Sequence, residues 1–68
     1  MLIIFKGNPY LAVETYNYED TGSMSYCRGY KLYDYKALVV LSTKGWISQE
    51  QYDSTYRFDI DARGTKLP

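Results

Sequence analysis

The sequence predicts a small, mainly β domain: an antiparallel sheet of four or five strands, curled toward a barrel, with one short helix near residues 49–56; α+β is the neighbouring class. Three observations carry this. β-branched and aromatic residues recur in short runs, and nine of the 68 residues are tyrosine, a residue that favours strands. Clusters of Gly, Asn, Asp, Ser and Thr interrupt those runs at short intervals, as turns do. Only Ser48-Gln49-Glu50-Gln51 carries a specific helix-start signal.

Leu2–Lys6 is a β-branched and aromatic run that Gly7-Asn8-Pro9 ends, because proline donates no ladder hydrogen bond and its predecessor avoids the helical region. Tyr10–Tyr18 then alternates, with Leu11, Val13 and Thr15 on one face and Tyr10, Glu14, Tyr16 and Tyr18 on the other. The two runs read as a β-hairpin. The polar segment Glu19-Asp20-Thr21-Gly22-Ser23 is a loop, and Ser25–Asp34 is a strand with a bend or bulge at Gly29. The continuous apolar run Ala37-Leu38-Val39-Val40-Leu41 within 36–42 reads as a central strand covered on both sides, with a buried helical segment as the alternative.

Thr43-Lys44-Gly45 is a turn, and the capping box opens a helix. Ile47 and Tyr52 occupy the staple positions around that cap. Tyr52 with Tyr56, and Asp53 with Arg57, stand four residues apart, so each pair can meet on a helix. Phe58 and Ile60 alternate with charged residues in a last strand, and Ala62–Pro68 reads as a loose tail. The organisation is one domain over 1–61 with a C-terminal tail over 62–68.

Composition excludes more than it assigns. Apolar content of 46% with 24% charge argues against disorder. Eight basic residues balance eight acidic ones, which removes the usual electrostatic footprint of a nucleic-acid binder. The apolar start Met1–Phe5 is too short for a signal peptide or a membrane span. The lone Cys27 fits a reducing compartment, so a cytoplasmic location is expected, the host cytoplasm if the chain is phage-encoded.

The chain contains no histidine, which excludes imidazole-based dyads and histidine metal sites. Asp59-Ile-Asp-Ala-Arg-Gly64 has the first, third and sixth residues of a calcium loop, but Arg63 stands where an oxygen ligand belongs and no closing glutamate follows. The carboxylate pairs Asp59/Asp61 and Glu19/Asp20 have no phosphate cradle or activated nucleophile beside them. Arg28 beside Cys27 would favour the thiolate, but adjacent strand residues point to opposite faces, so a small core residue is the better reading. No catalytic residue, metal or cofactor is expected.

The segment Lys31-Leu-Tyr-Asp-Tyr-Lys-Ala37 resembles the opening motif of SH3 domains, whose tyrosines line a groove for proline-rich peptides. The resemblance covers seven residues. It falls mid-chain, Trp46 is followed by Ile47 where that family has a tryptophan pair, and the family's Gly-x-x-Pro-x-x-Tyr ending is absent. The groove is therefore not carried over.

The remaining candidates are the tyrosines, seven of which lie between Tyr10 and Tyr35. Tyrosine fills small sheets, and with arginine it is also enriched in binding hot spots. If Leu11 and Val13 face the core, Tyr16 and Tyr18 face outward. Tyr26, Arg28 and Tyr30 share a face if Gly29 does not break the alternation. The expected function is a non-enzymatic protein-binding module that blocks a partner's surface through Tyr16, Tyr18, Tyr26, Arg28 and Tyr30. Inhibitors of host proteins encoded by phages or mobile elements act in this way. The expected partner is a protein, no membrane is involved, and the edge strands and small size point to a homodimer or a partner complex. The alternative is a single-stranded nucleic-acid binder that stacks bases on a tyrosine platform.

Overall fold

A computed structural model describes residues 1–18 and 25–68, and for residues 17, 18 and 25–28 it describes the backbone alone. Four strands and two helices follow in the order β1 (Leu2–Phe5), β2 (Asn8–Tyr18), β3 (Ser25–Asp34), α1 (Tyr35–Ser42), α2 (Gln49–Ser54) and β4 (Tyr56–Asp61). The strands form one antiparallel sheet in the order β1-β2-β3-β4. It is an open sheet, not a closed barrel.

The first turn is tighter than the sequence suggests. Phe5 pairs with Asn8, leaving Lys6 and Gly7 as a two-residue loop with φ of 49° and 84°. Positive φ at both central residues is the geometry whose twist matches a hairpin. Asn8 and Pro9 therefore belong to β2. Pro9 is tolerated because β3 first pairs with β2 at Tyr10↔Asp34, so no acceptor awaits its missing N–H.

The register sorts side chains onto two faces. Ile3↔Tyr10, Ala12↔Leu32, Leu32↔Phe58 and Tyr30↔Ile60 define one of them. Ala12, Leu32 and Ile60 are buried there, with Ile3, Phe5, Tyr10, Tyr30 and Phe58 packed against them. The rings of Phe5, Tyr10 and Phe58 form a triangle with centroids 5.4–6.4 Å apart. This corrects the expected polarity of β2, since Tyr10 and Ala12 face the core while Val13 is exposed. Ala12 pairs with the fully buried Leu32 of β3, so its position lies in the middle of the buried cluster.

The opposite face carries Leu2, Leu11 and Tyr33 in register; α1 packs on β2 and β3, and α2 reaches this face through Tyr52. Tyr33 stacks on Tyr52 at 4.4 Å and meets Tyr56 edge-on at 5.7 Å. Tyr52 and Tyr56 thus meet through Tyr33 rather than on one helix, because α2 stops at Ser54.

Residues 36–42 correct the strand expectation, for Tyr35–Ser42 is helix α1. Asp34 ends β3 in an extended conformation and accepts a hydrogen bond from the Ala37 amide at 3.1 Å, an N-cap that starts a helix where the ladder ends. The second carboxylate oxygen of Asp34 receives Arg57 at 3.3 Å. Arg57 therefore pairs with Asp34, while Asp53 accepts from Gln49 at 2.9 Å. The capping box of α2 is present in both directions: the Gln51 amide donates to Ser48 Oγ at 3.1 Å, and the Ser48 amide donates to Gln51 Oε1 at 2.9 Å.

The C-terminal segment is anchored rather than loose. The Asp61 carboxylate accepts from the Arg63 and Thr65 amides, both at 2.9 Å, and Lys66 bridges to Ile60. Arg63 itself sits where a calcium loop would need a ligand. Asp61 serves instead to close a turn that folds the tail along β4.

Candidate functional site

The expected tyrosine surface lies at the distal end of the β2–β3 hairpin. Its register runs Glu14↔Tyr30, Thr15↔Gly29, Tyr16↔Cys27, Asn17↔Tyr26 and Tyr18↔Ser25. Arg28 is skipped, so a bulge falls beside Gly29 as the sequence suggested. The expectation that Tyr26, Arg28 and Tyr30 share a face concerns side chains of which only that of Tyr30 is described. The side chains of Tyr18, Tyr26, Cys27 and Arg28, and the pair Glu19/Asp20, lie outside the described residues.

The two remaining members of the set are separated in environment. Tyr30 is half-buried against the Ala12–Leu32–Ile60 core. Tyr16 is half in solvent, at 50% exposure, and donates its hydroxyl to the Glu14 carboxylate two residues earlier. Its exposure comes from its position beyond the buried core, not from the polarity that the alternation suggested.

Gly29 is fixed by packing. A Cβ at this position would lie 2.1 Å from the Ile60 carbonyl oxygen and 2.9 Å from Asp61 Cα, so β4 can approach β3 only because the side chain is absent. The approach carries Ile60 into the core and aligns Lys31 with Asp59 across the strands.

The aromatic rings of β1 and β4 already hold cations of the chain. Lys6 Nζ sits 5.6 Å from the Phe5 ring, Lys31 Nζ 5.3 Å from Tyr56, and Lys66 Nζ 4.9 Å from Phe58. Tyr56 also donates its hydroxyl to Asp59, and that bond, ahead of burial, raises its ionisation above the ordinary tyrosine value. Tyr52 is raised too, by burial first and by the neighbouring Tyr33 second.

Sequence reasoning did not single out Trp46 as a functional residue. It stands in the α1–α2 connection with its side chain wholly in solvent, at 100% exposure. Lys44 and Gly45 precede it and Ser48 follows Ile47, so the available signal was one large aromatic among turn residues. Leu2 and Ile4, at 58% and 71% exposure, form a second unanticipated apolar feature on β1. With Pro9 and Tyr35 they line a shallow apolar depression at the sheet's edge.

Among the described residues, no three carboxylate or thiol side chains gather closely enough to hold a metal ion. Nor is any helix there long and apolar enough to cross a membrane. Comparison with protein-family models, curated proteins and solved structures found no match to this chain.

Proposed function

We propose that this chain is a non-enzymatic protein-binding module, acting as an inhibitor acts, by occupying a partner's surface, with Trp46 as an anchor. The observation that carries this reading is the complete exposure of Trp46 in a chain with so small a core. A tryptophan buries about 150–250 Å² when covered, and tryptophan is among the residues most enriched in binding hot spots. Its position between two capped helices holds it on a short connection at little cost in conformational entropy. Tyr16 on the projecting hairpin is the second candidate contact.

Balanced charge favours a protein partner over single-stranded nucleic acid, whose phosphates call for a basic surface. The rings of Phe5, Tyr56 and Phe58 are not open platforms for base stacking, because each has a lysine of the same chain over it.

Trp46 is the only tryptophan, so its fluorescence reports directly on the proposed contact. A partner recovered by affinity capture should shift Trp46 emission to the blue on titration. Trp46→Ala should weaken that partner's binding by about 30-fold or more, the usual scale of a hot spot, with an unchanged circular-dichroism spectrum. Equal binding by Trp46→Ala would remove the anchor. Equal binding by Tyr16→Ala would remove the hairpin.

A further inference from the structure

The two edges of the sheet are treated differently. On β4, the backbone of residues 65–67 runs alongside, with the Asp61 amide donating to Thr65 and the Leu67 amide donating to Asp59 at 2.9 and 3.0 Å. That edge is covered where the core ends. On β1, Met1 and Ala12 exchange hydrogen bonds at 2.7 and 3.2 Å. Antiparallel ladders alternate, so Ile3↔Tyr10 and Phe5↔Asn8 are the other bonded pairs, and the N–H and C=O groups of Leu2 and Ile4 point away from β2.

We propose that β1 pairs antiparallel with β1 of a second copy, making a two-fold dimer with one continuous sheet of eight strands. The pairing places Leu2 opposite Ile4 of the other copy, twice, around an Ile3–Ile3 contact on the axis. In that register every outward backbone group of Leu2 and Ile4 gains a partner, and four new hydrogen bonds form. Leu2–Phe5 contains no charge and no proline, the devices that normally block such an edge. A two-fold pair of this kind requires self-complementarity, which an uncharged Leu-Ile-Ile strand has against itself.

Side chains reinforce the backbone argument. Leu2 and Ile4 share the helix-bearing face, so each would lie beside the other copy's depression formed with Pro9 and Tyr35. Lys6 does not oppose the approach, because it sits in the hairpin turn with its ammonium over Phe5. Pairing consumes both β1 edges in one two-fold contact, and the tail covers the Asp59–Asp61 part of β4, so the sheet closes as a dimer. This inference is independent of the anchor role of Trp46.

Sedimentation equilibrium tests it. The wild-type chain should approach twice its 8.0 kDa mass as concentration rises. Ile4→Lys should weaken association at least about tenfold, because it puts a charge on the pairing edge at an exposed position. Ile4→Pro should do the same by deleting an N–H that β2 does not use. Val40→Lys, at a similarly exposed helix position (58%), should leave the dimer intact. Hydrogen exchange gives a second reading: the Leu2 and Ile4 amides should be protected in concentrated solution and unprotected in dilute solution. A chain that stays monomeric at millimolar concentration overturns the proposal. So does a dimer that survives both Ile4 substitutions in folded protein, or an edge that accepts an extended strand of another protein while the chain alone remains monomeric.

Discussion

Gly29→Ala isolates the contact that joins β4 to the sheet. Away from any clash the substitution would stabilise the chain by about 0.4–1 kcal/mol, because alanine narrows the unfolded ensemble and Gly29 does not have a positive φ. The clash reverses the sign. The new methyl would stand 2.1 Å from the Ile60 carbonyl oxygen, and ordinary contact begins at 3.4 Å. The strands must therefore part by about 1.3 Å, and because the opposing atoms are backbone, no rotamer change can absorb it. Ile60 would be drawn out of the core and the Tyr30↔Ile60 register would stretch. Overpacking of this kind costs about 1–3 kcal/mol, and each strained ladder bond adds about 1 kcal/mol. A chain of this length has about 3–10 kcal/mol of stability in total, so we expect a loss of about 3 kcal/mol and a fall in Tm of about 12–24 °C. Urea titration followed by circular dichroism measures it, with Gly45→Ala as the reference. Gly45 has φ of 114° and nothing near its missing Cβ, so that variant reports backbone strain alone. If Gly29→Ala is as stable as the wild type, or no worse than Gly45→Ala, the close approach of β4 is wrong.

Asp34 joins two roles that substitution can separate. Asp34→Ala should cost about 1 kcal/mol by removing the α1 cap, whereas Asp34→Asn should keep the cap and lose only the exposed pair with Arg57, a change below about 1 kcal/mol in the same urea assay. The pH response follows from the tyrosines: the folded-state values of Tyr52 and Tyr56 lie above those of the unfolded chain, so the stability they carry is complete below about pH 10 and is lost as pH rises through the raised values. Tyrosinate absorbance should rise together with loss of the dichroism signal, and Tyr52→Phe should move unfolding to higher pH.

The legible parts of the sequence were those with local causes. Ser48 and Gln51 announce their helix because both halves of the capping box lie within four residues. Gly29 announces a bulge because an isolated glycine in a strand has few other uses. The apolar run at 37–41 was illegible as a helix because periodicity over five residues cannot separate helix from strand. What decided it was Asp34, whose carboxylate caps the first turn and holds Arg57 from 23 positions away. The polarity of β2 was hidden for a similar reason. Ala12 is buried in a cluster with Leu32 of β3 and Ile60 of β4, which lie 20 and 48 positions away in sequence.

The tyrosines carry the same lesson into function. Tyr10 and Tyr30 belong to the core face; Tyr33, Tyr52 and Tyr56 join the helices to the sheet; Tyr35 lines the β1 depression. Each has a packing role, so abundance of tyrosine is by itself no evidence of a recognition surface. Tyr16 alone of the described tyrosines projects beyond the core, and its hydroxyl already has a local partner in Glu14. A residue with no packing role is the stronger functional candidate, because nothing in the fold accounts for its size. By that criterion Trp46 outranks every tyrosine described. At the sheet's edge the same criterion selects Ile4, a β-branched side chain more exposed than any other residue of β1, whose backbone N–H and C=O face away from β2.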